Sequence, residues 1–343
     1  RMDEIGLHDY VQVKIGMDSW AKEKPALPVI TRLPARMNSN EVWLPSVVDE
    51  DLAMFAGIYN ADGSLHDSNG SFTIRITNTT TKNAKKGDLT EAVATRLFGP
   101  DAVRRDKDAI HVTSVSLSAW CDALGFKRRI ENKRAPDWIL ASPKEFVLAY
   151  IRGLAFDSHF TLNGEVTPTW VYSGSKQLAQ EMQMFLLNLG IPAGLYDKRT
   201  IDGPNSWQTV VSGADSASIG HLIGQIPPMP TRTIDYSRPK YIRRGNTLWL
   251  RVTDVREGTP QEVRDVTIPT TEQFWANGTV SHNTGRLSSS KPMNCFDGET
   301  ELLTAEGWIR FDQLKPAIER GVEVAQWHDD SKINFAEPLD YIE

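Results

Sequence analysis

The chain has 343 residues, 40% of them hydrophobic and 24% charged, with a formal net charge of -6. That length can bury cores for two or three domains, and the mild acidity excludes a uniformly basic nucleic-acid binder while leaving room for a local basic groove. Two cysteines, Cys121 and Cys295, exclude a disulfide framework or a four-cysteine zinc site, and no apolar run reaches the ~20 residues of a membrane span.

Residues 1–45 alternate apolar positions (Tyr10-Val11-Gln12-Val13-Lys14-Ile15) and then run through prolines from Pro25 to Pro34, a pattern of short strands and loops. From Asp49 the spacing turns helical, with Leu52, Phe55, Ala56 and Tyr59 on one face and a stop at Asp62-Gly63-Ser64. Phe72 to Thr77 alternates as a strand with one polar face. A helix at 88–98, a strand near 110–113 and a helix at 116–125 follow, then a basic run from Lys127-Arg128-Arg129 to Lys133-Arg134. The order recurs as a helix from Lys144 to about Phe156, a strand at 167–173 and a helix at 175–189, an internal repeat of roughly a hundred residues. Strand-and-turn character returns after Pro227-Pro228-Met229-Pro230 and continues, past Asn283, over 295–343. Cys121, beside Trp120 and Leu124 on a helix, reads as core. Arg1-Met2-Asp3 has no signal-peptide pattern, and the expected setting is a cytoplasmic monomer without membrane contact.

Phe55-Ala56-Gly57-Ile58-Tyr59-Asn60-Ala61-Asp62-Gly63 resembles the signature of LAGLIDADG homing endonucleases. Ala56, Gly57 and Ala61 are small enough for two such helices to approach closely, which places Asp62 at a subdomain interface where a partner acid could share Mg²⁺ with it. The second copy is irregular. Lys144 to Leu154 resembles the lead-in to the family's second motif, as do Ala135-Pro136-Asp137-Trp138-Ile139 before it and Ser173 to Ile191 after it. The acid position then falls on Ser158 without a gap and on His159 with a one-residue insertion, with Asp157 adjacent in either register. Asp62 and Asp157 are the candidate metal ligands and catalytic acids. The resemblance implies double-stranded DNA as substrate, with Thr73 and Arg75 on a strand reaching base edges and Lys127, Arg128, Arg129, Lys133 and Arg134 meeting phosphates.

A second resemblance lies downstream. Asp265 to Ile268 and then Phe274 to Asn283 resemble the C-terminal end of an intein. It implies that Asn283 cyclises and cuts the chain before Thr284, that His282 polarises or protonates the scissile bond, and that the Thr284 hydroxyl accepts the upstream protein. A further His common in such ends is Glu272 here. Cys295-Phe296-Asp297-Gly298-Glu299-Thr300, with Gly307-Trp308 and Leu314, resembles an intein start, in which the Cys295 thiol attacks the carbonyl of Asn294. The Thr-x-x-His block that should follow is missing; the only such spacing is Thr279 to His282. Between the junctions, Thr284-Gly285-Arg286-Leu287-Ser288-Ser289 resembles a segment of family A DNA polymerases.

The expected fold is α+β: a discontinuous all-β Hint-type splicing domain with an inserted pseudo-twofold αββαββ LAGLIDADG endonuclease domain. Its expected boundaries are 1–45 and 236–283 for splicing, 46–235 for the nuclease, 284–294 for a DNA polymerase I extein segment and 295–343 for the start of a second intein. The implied functions are splicing, with cleavage after Asn283 and no cofactor, and Mg²⁺-dependent double-strand cleavage of the intein-free polymerase gene, active or degenerate. Flanking polymerase extein sequences are the other implied partners. One alternative is a single permuted or split intein rather than a fragment covering two; another is an inactive DNA-binding or maturase-like remnant.

Overall fold

Apolar periodicity becomes layered structure in two units, Arg1–Glu23 with Leu186–Pro192 and Asp235–Glu343, and Lys24–Phe185 with Ala193–Ile234. The computed structural model describes residues 6–30, 42–68, 71–77, 84–155, 160–163, 165–198, 207–211, 215, 218–219, 241–255, 264–270, 273–276, 279–282, 296–327 and 333–342. In chain order the elements are β1 (Tyr10–Lys14), α1 (Glu50–Asp62), β2 (Gly63–Ser68), β3 (Ser71–Thr77), α2 (Ala84–Phe98), β4 (Val103–Arg105), β5 (Ala109–Ser114), α3 (Leu117–Ala123) and α4 (Asp137–Leu140). The second repeat continues with α5 (Lys144–Ala155), β6 (Phe160–Asn163), β7 (Glu165–Ser173), α6 (Lys176–Asn188), β8 (Gly194–Asp197) and β9 (Trp207–Val210). Then come β10 (Tyr241–Arg244), β11 (Thr247–Arg251), β12 (Asp265–Thr267), β13 (Gln273–Ala276), β14 (Thr279–His282), β15 (Glu301–Thr304), β16 (Gly307–Arg310), α7 (Phe311–Glu319), β17 (Val324–Trp327), β18 (Ile333–Ala336) and β19 (Asp340–Ile342).

The unit built around residues 24–185 is a mixed α/β fold with one element order used twice, helix, two strands, helix, two strands. Its sheets run β2-β3-β5-β4 and β6-β7-β9-β8. In the first sheet the alternation predicted for 72–77 separates the faces. Ile74, Ile76, Ile110 and Val112 are buried, whereas Thr73 pairs with Thr113 and Arg75 with His111 on the polar side. Behind that sheet Phe55, Phe98, Trp120 and Phe126 form an aromatic core, with Phe55 edge-on to Phe98 at 5.0 Å and Trp120 stacked on Phe126 at 5.2 Å. Cys121 belongs to the same core and is fully buried, which pushes its thiol pKa far up. The short strands β4, β6, β8 and β9 carry too few residues for their alternation to be read from sequence, and β2, with Leu65 as its one large apolar residue, shows no alternation. The unit starts at Lys24, upstream of the expected boundary at 46.

The other unit is a β structure. Among the described residues its main sheet runs β10-β11-β1-β14-β13-β15-β17-β18, with β16 beside β15, while β12 pairs with β19. Described strands from 236–283 and from 295–343 both belong to this unit. Ala276 of β13 pairs with Leu302 of β15 and Phe274 with Gln326 of β17. One core holds Val266, Ile268, Phe274 and Ala276 together with Leu302, Phe311, Leu314 and Val324. Strands this short bury apolar surface only by sharing it, so the two segments form one body. Phe274→Ala is expected to cost ~3–5 kcal/mol of this unit's stability in denaturant titration; a loss below ~1 kcal/mol would show that the shared core does not hold it.

Candidate active site

The two repeats meet where α1 crosses α5, and glycine sets the distance. A Cβ on Gly57 would lie 2.1 Å from the carbonyl oxygen of Tyr150 and 2.6 Å from the amide of Leu154. A Cβ on Gly153 would lie 2.1 Å from the carbonyl oxygen of Met54 and 2.9 Å from the amide of Ile58. Side chains at either position would therefore drive the backbones apart. The contacts are reciprocal with one constant offset of 96 residues, 57 to 153, 54 to 150 and 58 to 154, which is the signature of a local twofold between the helices.

Each end of α1 is built by specific bonds. Asp49 accepts from the Leu52 N–H at 2.8 Å, and Glu50 and Asp51 occupy the first turn, so the N-terminus is capped in hydrogen bonds and charge. At the other end Lys133 donates to the carbonyls of Tyr59, Asn60 and Gly63 at 2.9, 3.2 and 2.8 Å. A helix C-terminus leaves carbonyls without intrahelical partners, and a buried ammonium with three donors satisfies them. Asn60 is buried beside it and donates to the Tyr150 hydroxyl at 2.7 Å and to the Arg134 carbonyl at 2.8 Å, tying α1 to both α5 and the segment before α4.

Asp62, the last residue of α1, is mostly buried and paired with Lys86 of α2, itself 6% exposed. Burial lowers the Lys133 pKa to about 8 from 10.5, and the nearby Asp62 carboxylate opposes that fall. The carboxylate thus lies beside two ammonium groups. In the second repeat Glu181 of α6 is a buried carboxyl that accepts from the Ala135 N–H at 2.6 Å and from Gln177 at 3.1 Å, and burial raises its pKa.

The basic run does not act as one patch. Lys133 faces the protein interior rather than phosphate, a correction whose cause is the demand of the α1 carbonyls. Arg134 is mostly buried and donates to Asp137 at 2.8 Å. Arg128 reaches Asp122 at 3.0 Å and lies over the Phe72 ring, and Arg129 is 79% exposed in its side chain, 3.9 Å from Glu131. The Lys127 carbonyl accepts from the Tyr59 hydroxyl at 3.1 Å. Thr73 shares a hydrogen bond with Thr113 at 2.9 Å, and Arg75 donates to Thr77 at 3.2 Å on the same face. Lys86, Asn60, Tyr150 and Glu181 were not legible as site residues; the nearest signal for Lys86 is its place in a polar Lys-Lys run.

Asp157, Asn283, Thr284 and Cys295 lie outside the described residues, and of His282 only the backbone is described, at the end of β14 opposite Gln273. Among the described residues no group of three or more His, Cys, Asp or Glu is placed to hold a metal, and no helix is long and apolar enough to cross a membrane.

Residues 145–223 match the family model described as LAGLIDADG-like domain. Over 158 residues, 43% of this chain, it is 28% identical to DNA polymerases of Thermococcus kodakarensis and Thermococcus hydrothermalis. Over 170 residues, half of this chain, it is 25% identical to an A-type ATP synthase polypeptide of Methanopyrus kandleri. The chain spans only 9% of the length of the two polymerases and 15% of the ATP synthase polypeptide. Among solved structures, two variants of I-DmoI, each in complex with target DNA and manganese, align with 51% of this chain. One has 17% identity, a TM-score of 0.35 and 93% of its own chain covered; the other has 15%, 0.37 and 97%. The family match spans the stretch from α5 to past β9.

Two outcomes test the geometry. Gly57→Ala and Gly153→Ala are each expected to lose at least ~3 kcal/mol in denaturant titration, because backbone rather than a flexible side chain meets the new methyl; near-neutral substitutions would contradict the crossing. Lys133 holds its proton less tightly folded than unfolded, so the unfolded chain binds the extra proton between about pH 8 and 10.5 and stability rises with pH across that window. The full rise is ~3 kcal/mol, and Lys133→Met should flatten it.

Proposed function

We propose that the unit built around α1 and α5 binds double-stranded DNA and hydrolyses its phosphodiester backbone. It is the nuclease part of an intein-type element in a DNA polymerase host. The observation that carries this is the glycine-on-glycine crossing that ends in Asp62, flanked by the ammonium groups of Lys86 and Lys133. Two helices packed so closely bring their C-terminal ends, and any acid there, to the axis relating two sheets. The twofold of the protein then matches the local twofold of a duplex backbone.

The polar face of the first sheet, with Thr73, Arg75, His111 and Thr113, has the alternation needed to present side chains to a groove, and the exposed Arg129 suits phosphate. Mg²⁺ is commonly held by one or two carboxylates together with phosphates and water, not by an all-protein cage. Among the described residues the Asp62 carboxylate fits that demand and would hold the ion jointly with DNA, with Asp157 the second candidate ligand. A divalent ion bound there supplies positive charge to the scissile phosphate. Lys133 keeps the end of α1 in place, and Lys86 pairs with Asp62 before DNA arrives.

The pattern of relatives supports an inserted element. A DNA polymerase and an ATP synthase polypeptide have different names, yet each matches this chain over a small part of its own length. Two hosts carrying one kind of insertion produce that pattern. The β unit is then the splicing part, with Asn283 cyclising, His282 assisting, Thr284 as the first host residue and Cys295 as the nucleophile of an intein start. The Thr-Gly-Arg-Leu-Ser-Ser stretch supports a polymerase host.

Purified chain incubated at neutral pH is expected to break after Asn283, leaving a C-terminal succinimide or Asn by mass spectrometry, and Asn283→Ala should stay intact. An unbroken wild-type chain over days contradicts the splicing part. For the nuclease part, Asp62→Asn is expected to lower Mg²⁺-dependent cutting of the element-free polymerase gene at least 100-fold while retaining binding. Binding without wild-type cutting favours the DNA-binding remnant.

A further inference from the structure

We infer that Glu181 of α6, in the second repeat, is a positioning residue for Asp62 of the first, because it holds the chain before α4 and that chain holds the end of α1. This rests on the nuclease function proposed above and adds to it what fixes the acid in place. The linkage runs through three consecutive residues, each tied to a different group. Lys133 donates from its side chain to the carbonyls of Tyr59, Asn60 and Gly63, which lie on both sides of Asp62 in sequence. The Arg134 carbonyl accepts from the Asn60 side chain at 2.8 Å. The Ala135 N–H then donates to the Glu181 carboxyl at 2.6 Å. Lys86 pairs with the Asp62 carboxylate itself, so the part of 133–135 is to place the backbone that carries it.

Glu181 is 1% exposed, on a helix whose neighbouring positions Leu178, Met182 and Phe185 are buried too. A carboxyl taken out of water there is costly unless its oxygens are bonded, and an apolar side chain would fill the position without that cost. Its two oxygens have separate partners. Oε1 accepts from Gln177, one helical turn earlier, at 3.1 Å, and Oε2 reaches off the helix to Ala135. The first bond anchors the carboxyl to α6, and the second fixes the chain that crosses from one repeat to the other. Arg134 and Asp137 are close enough to act on Glu181 electrostatically, and they are paired with each other at 2.8 Å.

A second route joins the same two helices. Asn60 donates to the Tyr150 hydroxyl at 2.7 Å, and the Tyr150 ring packs edge-on to Phe185, one turn beyond Glu181, with centroids 6.2 Å apart. Both routes from α6 therefore converge on Asn60, two residues before Asp62. A group held in its productive geometry loses up to ~100-fold in rate when displaced by ~1 Å. Loss of the Glu181 acceptor is thus expected to act on turnover, with DNA binding unchanged.

The test uses the full chain and a plasmid carrying the host coding sequence around Thr284 with the element removed, cut in the presence of Mg²⁺. Glu181→Met removes the acceptor at similar volume, and kcat per folded molecule is expected to fall at least ~10-fold with KM unchanged. Glu181→Gln keeps an oxygen for the Ala135 N–H and should stay within ~3-fold of the wild type. The Asn60 side-chain amide, followed by ¹⁵N NMR, should shift in the Met variant and hold its place in the Gln variant, a readout independent of turnover. Should Glu181→Met fail to fold, Gln177→Met carries the test: it removes only the bond within α6 and should lower kcat ~3-fold, and an unchanged kcat overturns the inference. A folded Met variant that cuts at the wild-type rate, or Met and Gln variants impaired alike, overturns the positioning role and leaves the nuclease function standing. An unshifted Asn60 amide in the Met variant overturns the linkage by itself. No cutting by the wild-type chain overturns the nuclease function instead.

Discussion

Backbone-to-backbone contact between α1 and α5 governs the unit built around them. Gly57 and Gly153 remove the only atoms that would hold the helices a normal side-chain distance apart. Everything placed at the C-terminal end of α1 follows from that. Asn60 can bridge to the Tyr150 hydroxyl only because the helices are close, and Lys133 can reach three carbonyls only because the chain before α4 is brought over the end of α1. Burying an ammonium there is unfavourable in itself, as its lowered pKa records. Three carbonyl acceptors offset much of that cost and hold the end of the helix at a fixed place.

Much of this unit was legible in the sequence because its helices are long enough to show a period. Leu52, Phe55, Ala56 and Tyr59 mark α1, and the stop at Asp62-Gly63 was placed correctly. The strand through Ile74 and Ile76 announced its faces by alternation, and Cys121 its burial by its neighbours. The small residues of the first motif suggested close packing. What the sequence did not carry was direction. A lysine in a run of basic residues reads as solvated, and nothing local distinguishes Lys133, turned onto carbonyls, from Arg129, turned to water. Lys86 gains its meaning from Asp62, 24 positions away in sequence and on a different helix.

The β unit was less legible for the complementary reason. Its strands are three to five residues long, and their pairings join residues far apart in the chain, such as Val13 with Thr279 and Asp265 with Ile342. Motif resemblance split the region at Asn283 and Cys295. Packing unites it, with Phe274 on one side of the split stacked edge-on to Phe296 and Phe311 on the other at 5.7 and 6.5 Å. An end-like segment and a start-like segment can complete one sheet whatever their order along the chain. Sheet pairing specifies neighbours and register, while connectivity is left to the loops.

If the glycine crossing makes Asp62 an acidic centre of the α1–α5 pair, a metal should be found there. Anomalous diffraction from crystals of the DNA complex grown with Mn²⁺ reads this without reference to turnover. A manganese peak is expected at the Asp62 carboxylate, shared with phosphate oxygens of the DNA. No peak at Asp62, or a peak elsewhere with Asp62 still paired to Lys86, would show that the crossing does not set the chemistry.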